Sequence, residues 1–407
     1  MNPFLGVTLH AVGGLAAASF YIPYKGVRRW SWESYWIVGG IFSWIIAPWT
    51  VALLTVPDVA GVLLAADLKT LFWCYFFGVL WGIGGLTFGL SVRYLGMSLG
   101  YAITLGFCAA FGTLIPPLFE GRMPELASHF SGWVVISGVG VCLAGIATCG
   151  HAGIRKEREL SAEAKTASIQ EFDFFKGVWV AVLSGVMSAC MNYGITAGRP
   201  LAELAGNMGA PALFVNGPVF IIVLAGGFTT NVLWCVYLNR KNRSGGDYVN
   251  TDTPLLLNFA LSALAGTTWY FQFMFFGMGK TQMGTFDFSS WTLHMAFIII
   301  FSNIWGLIFR EWRGSSRRTL HWVLAGILVL MASTIVVGTG NTLEERRNQD
   351  ATAQETAATG EAAAAQPASL PLGENADQHG TVPGHTTGEI PVEGAQVLLP
   401  PEVADPS

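Results

Sequence analysis

Apolar and polar positions alternate in long blocks along this chain. Ten apolar runs occupy about residues 4–24, 34–56, 71–93, 97–119, 131–151, 176–197, 211–238, 254–279, 286–309 and 319–340. Each supplies about the 20 residues a helix needs to cross the hydrocarbon core of a bilayer. The first run lacks a basic leader and continues to Lys25, so it reads as a span and not as a signal peptide. Beyond residue 340 the apolar pattern stops. Residues 341–407 hold no aromatic side chain and are rich in Ala, Glu, Gly, Pro and Thr, a composition that cannot bury enough apolar surface to order itself. The pattern predicts an all-α polytopic membrane protein: a ten-helix domain over 1–340 and a disordered acidic tail over 341–407. The domain's halves, about 1–151 and 176–340, are joined by the loop 152–175.

Composition agrees. Charged residues are 12% of the chain, where a soluble protein has roughly a quarter. Lys and Arg are unevenly placed: 16 lie in the odd connections and 6 in the even connections and the ends. That bias predicts that the odd connections, the 152–175 loop among them, are cytoplasmic and both termini extracytoplasmic. No basic patch with interleaved aromatics suggests nucleic acid. Cys74, Cys108, Cys142, Cys149, Cys190 and Cys235 all sit in apolar runs without a C-x-x-C, as small hydrophobes do.

Helix 3 carries Gly78, Gly82, Gly85 and Gly89 on one face, a ridge that lets membrane helices approach closely. It is also echoed five spans later. Trp81, Phe88, Gly89 and Gly96 align without a gap with Trp269, Phe276, Gly277 and Gly284. Two halves of five helices would be inverted relative to each other, an arrangement found in secondary transporters with a midplane site.

Polar groups at membrane depth point to function, because they are costly there. Asp287 and His294 stand seven residues apart, on nearly one helix face. His10, Asn192, Gln272, Trp81 and Trp269 fall at similar depths when counted at about 1.5 Å per residue from the span ends. Each has a plainer reading: a histidine bonded to a backbone carbonyl, Asp287 as a helix cap, and Asn192 and Gln272 as interhelical glue. Together they suit a cavity that binds a solute with a proton. The amides match hydroxyl groups, a Trp face suits a sugar ring, and Asp and His can exchange protons. No H-E-x-x-H, G-x-S-x-G or Walker A motif supports an enzyme or an ATP-driven pump.

Several stretches resemble the L-rhamnose–proton symporter family of the drug/metabolite transporter superfamily. They are F-Y-I-P-Y-K-G-V-R-R-W-S-W-E from Phe20, V-G-G-I-F-S-W-I-I-A-P-W from Val38, W-G-I-G from Trp81, R-Y-L-G-M-S-L-G from Arg93 and S-W-T-L-H-M-A-F from Ser290. The resemblance covers about 4–340. It implies a ten-helix inner-membrane carrier importing a 6-deoxyhexose with a proton. The matched positions are His10, Glu33, Asn192, Trp269, Gln272, Asp287, Trp291 and His294. The family pattern continues N-x-N-Y after W-G-I-G, whereas this chain has Gly85, Leu86, Thr87 and Phe88, so the solute is open to difference.

The assignment is therefore proton coupling at Asp287, His294 and His10, and sugar binding at Trp81, Asn192, Trp269, Gln272 and Trp291. No cofactor or metal is expected, the proton being the coupling ion. The expected partners are a small sugar and the lipid bilayer, with a homodimer left open and no nucleic acid. The rival readings are a carrier of another monosaccharide, a metabolite exporter, and a membrane sugar sensor or scaffold that does not transport.

Overall fold

A computed structural model describes residues 1–159, 173–310, 312 and 314–364, and it is helical throughout with no strand among them. Among the described residues nine long helices organise it: α1 (Pro3–Tyr24), α2 (Trp32–Thr55), α3 (Leu68–Phe119), α4 (Phe130–Glu159), α5 (Phe174–Ala197), α6 (Gly217–Asn242), α7 (Leu255–Lys280), α8 (Ser289–Ile308) and α9 (Arg317–Ala364). Among the described residues eight helical segments are long and apolar enough to cross a membrane, and Ile103–Phe119 is a shorter apolar one.

Side-chain caps set several helix starts. Asn2 accepts from the Leu5 N–H, with Pro3 in the first turn. Asp67 accepts from Thr70 and Asp173 from Lys176. α6 stops at Arg243, which takes a left-handed conformation at φ 56°.

The sequence predicts a break between two spans near residue 95, but α3 stays helical from Leu68 to Phe119. The hydroxyls of Ser91 and Thr104 nevertheless lie 3.4 Å apart. Along a straight helix thirteen residues would separate them by about 20 Å, so the chain reverses between them. The stretch 92–102 contains Gly but no Pro, Asn or Asp, so it turns without leaving helical geometry. The arms Leu68–Ser91 and Ile103–Phe119 both lie against α5. Ser184 donates to the Gly84 carbonyl, Thr104 to Ala181, and Asn192 to Gly112 at 2.7 Å.

The glycine ridge divides. A Cβ on Gly226 of α6 would collide with the Tyr75 carbonyl, and one on Gly78 with that of Val223, so α3 and α6 cross in backbone contact. A Cβ on Gly85 would meet nothing within 4 Å. Gly226→Ala is therefore expected to destabilise the protein by about 1–3 kcal/mol, because the helices must separate. Gly85→Ala should be neutral or slightly stabilising. Thermal unfolding in detergent checks the contrast.

The compact unit runs to Gln354, past the boundary expected at 340. The first turns of the supposed tail are helical and packed. Buried Glu344 accepts from Ser131 at 2.5 Å and pairs with Arg347, and Asn341 donates to Ser289. The second unit comprises 355–407, of which 355–364 are described, as helix. The expected disorder from 365 onward, and most of the 152–175 loop, lie outside the described residues. Truncation after 364 is expected to leave the melting curve unchanged. Truncation after 341 strands Ser131 and should cost about 1–3 kcal/mol by the same assay.

Candidate functional site

The first site-building feature lies in α2. Residues Phe42–Ile46 form a single π-helical turn just before Pro48. Proline has no N–H to continue the ladder, and π-turns often mark functional sites. The wider turn carries Ser43 and Trp44 inward. Trp44 stands between Trp81 of α3, with ring centroids 6.1 Å apart, and Trp269 of α7, at 6.0 Å. Trp269 also meets Trp36 at 5.1 Å and Phe20 at 4.0 Å, and Trp81 meets Phe273 edge-on at 5.5 Å. The result is an aromatic box drawn from four helices. Close backbone crossing makes it possible: a Cβ on Gly266 of α7 would strike the Gly39 carbonyl of α2.

The polar atoms of this box are informative. Trp36 Nε1 donates to Asn231 at 3.1 Å. Trp44 Nε1, Trp269 Nε1 and Ser43 Oγ are buried without a partner. Buried donors are normally satisfied, and three orphans around one gap are costly unless something else completes them. The gap among Tyr24, Trp36, Ser43, Trp44 and Trp269 is too narrow for a water molecule, so the box is shut.

A second layer lies nearer the end of the bundle that carries the N terminus. His10 of α1 is fully buried and neither ring nitrogen has a partner. His294 of α8 is hydrogen-bonded to the His10 main chain, and its Nδ1 is unpartnered. The two ring centroids are 6.3 Å apart, with Phe276 of α7 against both at 5.4 and 5.2 Å. Trp291 packs edge-on to Phe276 and donates Nε1 to the Cys108 carbonyl at 3.0 Å.

The third layer is ionic. Asp287 precedes α8, outside the apolar span that begins at Ser289. Its carboxylate takes Arg122 at 3.2 Å, Arg199 at 3.2 Å and Lys280 at 3.7 Å. Glu120 takes Arg122 at 3.2 Å and Arg199 at 3.4 Å, and Arg122 also donates to the Thr285 carbonyl. Five charges thus tie together the ends of α3, α5 and α7 and the start of α8. Burial pushes the Asp287 carboxyl up, but Lys280, Arg199 and Arg122 together hold it below the usual carboxylate range.

The residues singled out from sequence therefore separate. Trp81 and Trp269 share the box, and His10 and His294 share a layer. Asp287 is not brought to His294. Its carboxylate is spent on three cations, Arg122, Arg199 and Lys280. Nor does its side chain cap the helix. Asn192 spends its amide on Gly112 while its Oδ1 is unpartnered, and Gln272 is buried one turn along from Trp269. Glu33 lies elsewhere, accepting from Ser244 at 2.6 Å and Asn242 at 2.9 Å, where it fastens α2 to the end of α6. Sequence reasoning missed Trp44, Ser43, Lys280 and the two arginines. Pro48 inside an apolar run was a usable signal for the first two; for the cations nothing in the local pattern named a partner. The six cysteines are unpaired, five of them buried.

Comparison with known proteins follows from this geometry. A family model described as L-rhamnose-proton symport protein matches residues 2–342. Proteins named L-rhamnose-proton symporter from Yersinia pestis (strain Pestoides F) and Yersinia pseudotuberculosis (serotype O:1b, strain IP 31758) are each 38% identical over 340 residues. The match covers 83% of this chain and 97% of each relative.

Proposed function

The chain belongs to the L-rhamnose-proton symport protein family, and from that premise we propose that it imports L-rhamnose together with a proton by alternating access. It is a transporter and not an enzyme. The single observation that carries the reading is the shut aromatic box with its three orphaned donors. Indole faces suit the C–H surface of a 6-deoxyhexose, and N–H and O–H donors suit its hydroxyl oxygens. Trp81 and Trp269 line the sugar site on either side of Trp44, with Gln272, Asn192 and Trp291 behind them. Proton coupling needs both ionisable layers, the His10–His294 pair to hold a proton and the cluster around Asp287 to close over it.

Ten transmembrane passes in two inverted halves accommodate this function. The reading is supported by the two arms of α3, by the 26 residues of α7, and by the similar approach of Trp81 and Trp269 to Trp44. The family resemblance implies the inner membrane, and the positive-inside bias favours both termini and the ionic layer on the extracytoplasmic face. In that orientation the structure has its outer mouth tied shut by charge. The test is uptake of labelled monosaccharides by vesicles holding the purified protein, with and without an inward pH gradient. L-Rhamnose should accumulate only with the gradient. Accumulation of a different sugar, or none, would reject the assigned solute.

A further inference from the structure

We infer that the coupling proton binds at the His10–His294 pair, and that Asp287 serves instead as the keystone of an ionic latch over that pair. This inference rests on the symport reading and divides labour within it.

The pair is built to receive something small and polar. His10 Nδ1, His10 Nε2 and His294 Nδ1 are three buried polar atoms with no partner, on two rings 6.3 Å apart. A water needs two to four polar partners, and three nitrogens supply them. Glycines let the two rings seat between the helices. A Cβ on Gly279 would come within 2.8 and 2.9 Å of His10 ring atoms, and one on Gly13 within 3.2 Å of His294. α1 packs mainly against α7 and α8. The charged or titratable groups facing the rings from those elements are Lys280 of α7 and His294 of α8, with Phe276 filling the rest. Among the described residues no carboxylate is bonded to either ring. The ligand is therefore a proton delivered by water: hydronium gives its proton to a free imidazole nitrogen, leaving water, and the reverse step releases it. With the rings sealed and Lys280 near, a charge there has no counter-ion, which favours release. Opening the mouth admits water and favours uptake.

Asp287 has a different environment. Held by three cations and kept below the usual carboxylate range, it stays ionised through neutral pH. It cannot be the group that gains and loses a proton there. Its contacts join four chain segments, so breaking them opens the mouth above the histidines.

The test compares His10→Gln/His294→Gln with Asp287→Asn, both full-length in vesicles. Three readouts are taken: sugar exchange without a gradient, gradient-driven accumulation, and lumenal pH on adding sugar. The histidine variant should exchange L-rhamnose but lose accumulation and the sugar-evoked pH change at least tenfold. Asp287→Asn should keep the pH change and its pH profile while exchange becomes leakier. The reverse pattern overturns the assignment. Should wild type move no L-rhamnose at all, the symport reading falls. The proton site is then judged without sugar, by NMR of ¹⁵N-histidine-labelled protein. Two signals absent from the double variant should titrate together as the pH is lowered, still doing so in Asp287→Asn. Two flat signals would overturn the proposal. The same spectra decide the matter if the double variant cannot exchange sugar.

Discussion

Trp44→Phe should lower sugar affinity by about 5- to 150-fold while leaving the sugar-free protein as stable as wild type, or more so. A phenyl ring replaces the indole, so aromatic contact with Trp81 and Trp269 largely survives, at the cost of a small cavity where the pyrrole ring was. What disappears is Nε1, a buried donor with no partner in the shut box. An unsatisfied buried donor is worth about 1–3 kcal/mol of destabilisation, so its removal relieves the empty protein. If the donor meets a sugar hydroxyl, the same amount is lost from binding, which gives that range of fold-change. A purely structural Trp44 would behave in the opposite way: stability would fall and the apparent KM would hardly move. Melting curves and uptake kinetics, measured on one preparation, separate the two cases. Trp269→Ala should abolish uptake, but a large cavity accompanies it and makes it the less discriminating variant.

Asp287→Ala should bring the second large effect, a loss on the order of 3 kcal/mol together with an opened mouth. Removing one partner from a buried ion cluster leaves the others uncompensated. The loss is concentrated at Lys280, which is 11% exposed, whereas Arg199 at 44% exposed is screened by water and contributes little. A cysteine placed at Thr285 should then react faster with a membrane-impermeant thiol reagent. The pH dependence has a definite sign. Asp287 has its folded pKa depressed, so its stabilisation is complete above the ordinary carboxylate pKa and is lost as pH falls through the folded value. The difference in melting temperature between wild type and Asp287→Asn should stay level from about pH 8 to 5 and shrink only below about pH 4. A difference that shrinks already near pH 6 would mean that Asp287 is not locked in the latch.

The sequence reveals the spans better than the site, for physical reasons. Apolar run length marks a membrane helix directly, so α1, α2 and α4 to α8 lie close to where hydropathy puts them. The reversal near residues 92–102 was visible as a break between two runs, though not as helix, because glycine permits turning without forbidding helical hydrogen bonds. The boundary at 340 was drawn where apolar residues end, whereas the compact unit runs on to Gln354. Glu344 and Arg347 extend the packed helix through hydrogen bonds, which hydropathy does not register. Tryptophans are conspicuous in any sequence, and Trp81 and Trp269 could be singled out as lying far from span ends. Trp44 became distinctive only once Pro48 was seen to widen its turn. The pairing of Asp287 with His294 was argued from helical spacing, which ranks neighbours on one helix and is silent about cations brought in by others. The true neighbours, Arg122, Arg199 and Lys280, are separated from Asp287 by as many as 165 positions. Long-range ion pairing of that kind leaves no periodic trace.

The central claim is that sugar and proton cross together, and it is tested most directly by watching the proton. Protein is reconstituted into vesicles with a trapped pH indicator, equal pH on both sides and a potassium conductance to prevent charge build-up. Addition of L-rhamnose outside should acidify the lumen, in step with entry of labelled sugar, and a sugar that is not transported should have no effect. Entry of L-rhamnose with an unchanged lumenal pH would contradict coupled transport.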